Sequence, residues 1–145
     1  MQGFIYPAAL TADEEEGGFV VKFIDLPEAI TQGDDVESAL GEASDCLEEA
    51  IANRIVTGLP IPKPSRIEKG QYSVTLPAQT ASKAALYVAL REAKISKVEL
   101  ARRLHCDEKE VRRLLDPRHP SKLPRIEAAL AAVGQKLVVA LQAAA

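Results

Sequence analysis

Three cations between positions 109 and 113 have the chemistry to bind a nucleic acid: Lys109, Arg112 and Arg113. A helix that buries Val111 and Leu114 directs Lys109 nearly opposite to the core, because successive residues lie about 100° apart. Arg113 points the same way, and Arg112 lies on the flank. Such side chains can donate hydrogen bonds to guanine O6 and N7 or to phosphate oxygens. Three cations alone are as typical of a solvated helix face, but with the turn spacing, Ala101 and the charge of this part of the chain they predict double-stranded DNA as a ligand.

Two short apolar segments predict the elements that position these cations. Residues 98–104 and 111–115 repeat apolar side chains at helical spacing around a turn centred on His105, which is the layout of a helix-turn-helix. Ala101 supplies the small residue where the two helices cross. His105 stands where a left-handed residue is needed, and histidine is among the non-glycine types enriched there. Asp107, with Glu110 three residues later, predicts a capping-box start for the second helix.

The same layout predicts phosphate contacts outside the second helix. Backbone amides at helix N-termini bind phosphates, which favours the residues at the start of the first helix. The polar loop after the second helix carries two more cations that could reach flanking phosphates. The predicted DNA-binding residues are Ser96, Lys97, Lys109, Arg112, Arg113, Arg118 and Lys122.

The charge of the chain is divided between two parts. Residues 1–78 carry five Lys and Arg against fourteen Asp and Glu, a net charge of −9. Residues 79–145 carry thirteen Lys and Arg against seven Asp and Glu, a net charge of +6. A basic domain suits a polyanion, and an acidic one suits a basic partner or a solvated surface. We therefore expect two domains, at 1–78 and 79–145.

Composition disfavours several classes of protein. No run approaches about 18 apolar residues and no basic-then-apolar leader opens the chain, so we expect no membrane span, no secretion and a cytoplasmic location. Cys46 and Cys106 lack a CxxC spacing, and the chain has 2 His. Reduced thiols are therefore expected rather than a disulfide framework or a zinc site.

The acidic part predicts a β-β-β-α-β order. Alternating apolar residues predict strands at 2–10, 19–24, about 29–31 and 71–76. A helical period predicts a long helix that starts at Asp34 or Asp35 and stops at Gly58, before an extended, proline-rich connector. Pro7 lacks an amide donor, so the first strand is expected at an edge or terminus of the sheet. The second strand has apolar residues on both faces, and we expect both to be largely buried.

The basic part predicts helices and one final strand. One helix is expected to start at a cap, Thr80 or Ser82, and another to span about 123–133. Residues 135–142 are rich in β-branched residues and predict a strand with no partner in its own domain. Pairing with a second copy would give a homodimer or part of a higher oligomer, although pairing with the first domain would also satisfy the strand. The predicted dimerisation residues are Leu137, Val138, Val139 and Leu141. A two-fold dimer predicts an inverted-repeat operator with half-sites about one helical turn apart.

Asp25, Asp34 and Asp35 are the candidates for a catalytic site. The strand order resembles a truncated RNase H topology, in which converging carboxylates could hold Mg²⁺. Asp34 and Asp35 are better explained as helix caps and Asp25 as a turn residue, and residues 1–78 contain no histidine that could act as a base. No Gly-rich phosphate loop or nucleophile constellation is found in the sequence. We expect no catalytic residue, no metal and no cofactor, and therefore a binding module.

The chain resembles the HicB antitoxins of bacterial type II toxin–antitoxin systems over essentially its full length. The resemblance rests on residues 19–27 (FVVKFIDLP), on residues 30–34 (ITQGD) before the acidic helix, and on residues 58–65 (GLPIPKPS) after it. Glu28 and Ala29 stand where the family commonly has Gly and Cys, and His105 stands for the usual Gly of the turn. The second domain resembles the lambda-repressor/Cro-type helix-turn-helix of one branch of the family.

This resemblance implies an α+β fold: a β-β-β-α-β partial RNase H-like domain without nuclease activity, then an all-α helix-turn-helix domain that ends in a dimerising β-strand. It also implies a partner, a small basic toxin of the HicA type whose ribonuclease site the chain would block, and repression of the chain's own promoter. Complementary charge would suit that pair. The candidate toxin contacts are Asp13, Glu14, Glu15, Glu16 and Asp25, together with the exposed acids of the long helix. The alternative is a stand-alone repressor with an N-terminal sensor, although residues 1–78 show no cluster of convergent polar groups on an apolar pocket.

Overall fold

The computed structural model describes residues 3–144, which form strands and helices in the order β-β-β-α-β-α-α-α-α. The elements are β1 (Ile5–Ala12), β2 (Phe19–Phe23), β3 (Ile30–Gly33), α1 (Val36–Thr57), β4 (Tyr72–Thr75), α2 (Ala78–Ala93), α3 (Lys97–Leu104), α4 (Glu108–Leu115) and α5 (Leu123–Ala132). The chain divides into two units, the first ending at Ala81 and the second beginning at Ser82. The mixed α+β class predicted from the sequence is confirmed.

The first unit is built on a four-stranded antiparallel sheet in the order β3-β2-β1-β4. Strand β1 pairs with β2 from Ala8↔Phe23 to Ala12↔Phe19 and with β4 from Ile5↔Thr75 to Ala8↔Tyr72. The prediction that β1 lies at an edge is therefore wrong, because β1 is a central strand.

Pro7 is tolerated in this central strand because of its register. The β1–β2 ladder stops at Ala8↔Phe23, one residue before Pro7. The carbonyl of Pro7 accepts a hydrogen bond from the amide of Ile24, at 3.1 Å, just beyond the end of β2. The nitrogen of a strand residue lies on the same edge as its carbonyl. The missing N–H therefore falls outside the ladder, and no ladder hydrogen bond is lost.

Only one face of the sheet is covered by α1, which contacts all four strands. Val21 and Phe23 of β2 are buried on this face, next to Ala8 of β1. On the other face Lys22 is exposed, Ile30 opposite it is 54% exposed and Ile24 is 47% exposed. The prediction that β2 is largely buried on both faces is wrong, because the first unit places its helical layer on one side.

Helix α1 begins and ends as its sequence predicts. Asp35 is the N-cap, and its side chain accepts from the amide of Ser38 at 2.7 Å while the Ser38 hydroxyl accepts from the Asp35 amide at 3.2 Å. This is a capping box with serine at the third position. Gly58 ends the helix in the left-handed conformation at φ 75°.

Three side chains fasten the proline-rich connector that follows α1. Arg54 donates to the carbonyl of Pro60 at 2.8 Å, and the Tyr6 hydroxyl donates to the carbonyl of Pro62 at 2.7 Å. Asp25 accepts from the amide of Ser65 at 2.8 Å and also from its hydroxyl. Prolines leave few amide donors in such a segment, so its carbonyls are satisfied by side chains from elsewhere in the unit.

The second unit is helical, with a core shared by α2, α3, α4 and α5. Helix α2 begins at Ala78, so neither Thr80 nor Ser82 is its cap, and that prediction is wrong. The carbonyl of Pro77 accepts the first helical hydrogen bond, from Ala81, and the Thr80 hydroxyl donates to Glu48 at 2.9 Å. The Thr80 side chain therefore forms a tertiary contact with α1 and does not cap α2.

The predicted C-terminal strand is not formed in a single copy of the chain. No residue from 135 to 144 lies in a strand. The second predicted domain, 79–145, ends at Ala145, which lies outside the described residues. A strand needs hydrogen bonds from a neighbouring strand, and residues 82–144 contain no other strand. Leu137 packs partly against the helical core, whereas Val138, Val139 and Leu141 are 62%, 80% and 101% exposed.

Candidate functional site

Helices α3 and α4 form two eight-residue segments around a short turn, and local side chains define their ends. The Ser96 hydroxyl accepts from the amide of Glu99 at 3.0 Å, and Asp107 accepts from the amide of Glu110 at 2.9 Å. His105 ends α3 in the left-handed conformation, at φ 53° and ψ 44°. The left-handed residue and the Asp107 cap predicted from the sequence are confirmed, but the Glu110 side chain pairs with Arg125 instead of completing a capping box.

The two helices bury one face each. Val111, Leu114 and Leu115 of α4 pack in the core with Leu100 and Ala101 of α3. The small Ala101 is therefore buried, as predicted. Val98, which the apolar pattern placed inward, is instead 63% exposed, because it lies in the first turn of α3 beyond the reach of the core.

The predicted cations of α4 lie on its exposed face: Lys109, Arg112 and Arg113. Arg112 forms an ion pair with Glu108, one turn earlier, at 3.3 Å. The side chains of Lys109 and Arg113 form no hydrogen bond or ion pair with any residue in the range 3–144. These two cations are thus ready to contact a polyanion without first breaking an internal pair.

Other cations of the unit are already neutralised. Glu99 accepts from Arg102 at 2.6 Å and from Arg103 at 3.0 Å, and these hydrogen bonds lower the pKa of Glu99 to about 2. Arg103 also donates to the carbonyl of Ala132 at 3.0 Å. Arg125 forms an ion pair with Glu110. Net charge alone therefore overstates the number of cations available to a ligand.

The predicted phosphate contacts lie on two sides of α4. Ser96 and Lys97 are exposed at the start of α3, where the Ser96 hydroxyl accepts one hydrogen bond and keeps its proton to donate. Arg118 and Lys122 are exposed in the loop between α4 and α5, and Lys122 is the N-cap residue of α5. The backbone amide of Arg118 donates to Asp116 at 2.9 Å, which shapes this loop.

Sequence reasoning missed Lys83, a fully buried lysine of α2. Its ammonium donates to the carbonyls of Arg113 and Leu114 and to the hydroxyl of Ser121. Burial lowers the pKa of Lys83, and the carboxylate of Asp116 opposes that shift. The available signal was spacing, because Lys83 shares the helical face of Leu86 and Leu90.

The predicted toxin contacts do not form one cluster. Asp13 accepts from the amides of Glu15 and Glu16 and so closes the turn between β1 and β2. Glu14, Glu15 and Glu16 are exposed on this turn. Asp25 lies beyond the other end of β2, where it holds Ser65. A strand of five residues therefore separates the acidic turn from Asp25.

Two of the three carboxylates considered for catalysis have structural partners, whereas Asp34 is exposed and is not the cap of α1. Asp35 caps α1 and Asp25 binds Ser65. No group of three or more His, Cys, Asp or Glu residues in positions 3–144 has the arrangement of a metal site. Across the same residues, no helix is both long and apolar enough to span a membrane.

Comparison with known proteins gives one family and a set of relatives. The family described as "HicB_like antitoxin of bacterial toxin-antitoxin system" matches residues 5–85. Antitoxin HicB of Escherichia coli (strain K12) is 36% identical over 132 residues, which are 91% of this chain and 95% of the relative. Antitoxin HicB of Pseudomonas fluorescens (strain Pf0-1) is 36% identical over 99% of this chain and 100% of the relative. Antitoxin HicB 1 of Photorhabdus laumondii is 36% identical over 94% of this chain and 86% of the relative.

Proposed function

Because the chain belongs to the HicB-like antitoxin family of bacterial toxin–antitoxin systems, we propose that it neutralises a HicA-type toxin and represses its own operon. The toxin in this proposal is a small basic ribonuclease, and the first unit binds it. The observation that carries this assignment is the family match over residues 5–85, which covers the acidic unit with its four-stranded sheet. We place both proteins in the cytoplasm, with the messenger RNA and the operator, and assign the sheet and α1 to a degenerate RNase H-like fold.

Electrostatic complementarity supports toxin binding by the first unit. Its net charge of −9 over residues 1–78 would speed encounter with a cationic protein and disfavour wrong partners. The exposed acids of the β1–β2 turn, Glu14, Glu15 and Glu16, offer that charge at the end of a hairpin. Asp25 contributes in this proposal by holding the connector at Ser65.

Operator binding is assigned to α3 and α4 as a helix-turn-helix. Arg113 and Lys109 are the proposed readers of bases or phosphates, because both are exposed and form no internal ion pair within residues 3–144. Arg112, Ser96, Lys97, Arg118 and Lys122 are the proposed supporting contacts. Two copies joined through residues 135–142 would place two such helices on an inverted repeat.

Coexpression with the toxin encoded in the neighbouring reading frame tests the antitoxin function. We expect the chain to restore growth and to copurify with that toxin. Reversing the charge of Glu14, Glu15 and Glu16 together should weaken the complex, whereas reversing Glu42, Asp45 and Glu49 on α1 should not. Persistent toxicity with no copurified complex would refute the antitoxin proposal. An equal effect of both triple variants would show that net charge, and not the turn, matters.

Gel shifts with the operon's own promoter test the repressor function. Arg113→Ala should weaken binding by about 1–3 kcal/mol if the arginine contacts a base in bidentate fashion. Arg102→Ala is the matched control, because Arg102 is an exposed arginine already paired with Glu99. Neither variant should change toxin neutralisation. Equal promoter affinity of the Arg113 variant and the unmodified chain would remove Arg113 from the interface.

Truncation after Gly134 tests dimerisation. The shortened chain lacks Leu137, Val138, Val139 and Leu141, so we expect a monomer by analytical ultracentrifugation and loss of tight operator binding. A truncated chain that still sediments as a dimer would show that another surface joins the two copies.

A further inference from the structure

The core of the second unit contains an ammonium group that the proposed DNA contacts do not use. Lys83 of α2 is 0% exposed. Its Nζ lies 2.9 Å from the carbonyl oxygen of Arg113, 3.0 Å from that of Leu114 and 2.8 Å from the hydroxyl oxygen of Ser121. An ammonium has three N–H donors, so this lysine is fully satisfied inside the protein.

The Lys83 ammonium binds the C-terminal end of α4. Arg113 and Leu114 lie in the last turn of α4, where the helix dipole favours a positive charge. The carbonyl of Arg113 also accepts from the backbone amide of Asp116 at 3.2 Å, so Lys83 is its second donor. Ser121 belongs to the loop that leads to α5 and carries Arg118 and Lys122. One buried group therefore ties α2 both to the end of α4 and to the following loop.

Reading a base requires more accurate placement than contacting a phosphate. A bidentate contact tolerates displacements of only about 0.5 Å, whereas a lysine or arginine can follow a phosphate through side-chain rotation. The backbone carbonyl of Arg113 is one of the acceptors of Lys83, so the side chain proposed to read a base and a group held by Lys83 belong to the same residue. A shift in the last turn of α4 would thus move the side chain proposed to read the operator.

We propose that Lys83 is a positioning residue for operator recognition, which fixes the C-terminal end of α4 and thereby sets the preference for operator over non-specific DNA. This inference rests on the proposed repressor function. It assigns Lys83 no contact with DNA, because its side chain is enclosed by the protein.

The test compares Lys83→Met with Ile126→Val in the full-length chain. Methionine keeps the length of the side chain and removes the donors, whereas the second change trims a fully buried residue of α5 and leaves the Lys83 hydrogen bonds in place. For each variant, binding to the promoter fragment and to a scrambled fragment of equal length is measured well below its melting temperature. We expect the ratio of the two affinities to fall about tenfold in Lys83→Met and to stay unchanged in Ile126→Val.

An unchanged ratio in Lys83→Met, or an equal fall in both variants, would overturn the proposal while leaving the repressor function standing. Should Lys83→Met fail to fold, Ser121→Ala carries the test, because it removes one acceptor and keeps the ammonium buried. A fall of several-fold in its ratio would support the proposal, and an unchanged ratio would overturn it. If the unmodified chain itself did not prefer its promoter, the repressor function would fail first, a result distinct from any variant effect.

Discussion

Replacing Gly33 with alanine should destabilise the first unit, because β3 ends against the first turn of α1. A Cβ atom at Gly33 would lie 2.4 Å from the amide nitrogen of Ala39, 2.5 Å from its Cα and 2.9 Å from the carbonyl carbon of Ser38. All three are backbone atoms, so no side-chain rotation can relieve the overlap. The end of β3 and the start of α1 would have to separate by about 1 Å to restore ordinary contact.

The size of the effect follows from this geometry. Overpacking a well-packed site costs about 1–3 kcal/mol, and we expect about 2–3 kcal/mol here because backbone must move. For a unit of this size that corresponds to a fall in Tm of roughly 8–24 °C. Gly41→Ala is the matched control. Gly41 is exposed in α1, and a Cβ atom at this position would have no contact within 4 Å apart from the neighbouring backbone of its own helix. Alanine there should stabilise the helix by about 0.5–1 kcal/mol.

Urea and thermal unfolding followed by circular dichroism at 222 nm would measure both changes. Hydrogen exchange of peptides from β2 and α1 would assign the affected transition to the first unit. Opposite signs for the two variants are the expected result. Equal or greater stability of Gly33→Ala would refute the close approach of β3 and α1, and a matching loss in Gly41→Ala would refute the local reasoning.

Two further predictions concern the tyrosine that holds the connector and the cap of α4. Burial, with a smaller effect from the Asp25 carboxylate and an opposing one from Arg54, raises the pKa of Tyr6 from 10.0 to about 12. The stability that neutral Tyr6 contributes should be complete below pH 10 and lost as the pH rises through about 12. Tyrosinate absorbance at 295 nm should show a step near pH 12 that Tyr6→Phe lacks, and full ionisation below pH 11 in the folded chain would contradict this. Asp107→Ala should cost about 1 kcal/mol by leaving the Glu110 amide without its cap, whereas Asp107→Asn should lose much less; equal unfolding midpoints for all three chains would show that the cap is not used.

Sequence reasoning succeeded for α3 and α4 because their determinants are local. The cap at Asp107 acts on an amide three residues away, and the left-handed His105 is a property of one residue. The helical period of Val111 and Leu114 likewise fixes which side of α4 carries Arg113. These choices depend on chain geometry within a single turn of helix.

The same reasoning failed where the outcome depends on partners distant in the chain. Pro7 favoured an edge position, but β4, about sixty-five residues later in the chain, also pairs with β1. It does so along the side of β1 that the Pro7 nitrogen does not face, so the missing amide does not disturb this pairing. The negative charge of Asp25 places it among the candidate partner contacts with the acids 13–16, yet Asp25 is bound to Ser65, forty residues away in the sequence. No local pattern encodes which distant carbonyl or hydroxyl will satisfy a given side chain.

The sequence by itself determined the order of strands and helices as far as α5, the separation of acidic and basic parts, and the exposed cations of α4. Only the tertiary structure decided that β1 is central, that one face of the sheet stays open around Ile24 and Ile30, and that Lys83 is enclosed beneath the end of α4. The physical reason is that the periodicity of a helix or strand and its caps depend on residues close in sequence. Burial, and the hydrogen bonding of buried polar groups, depend on residues close in space.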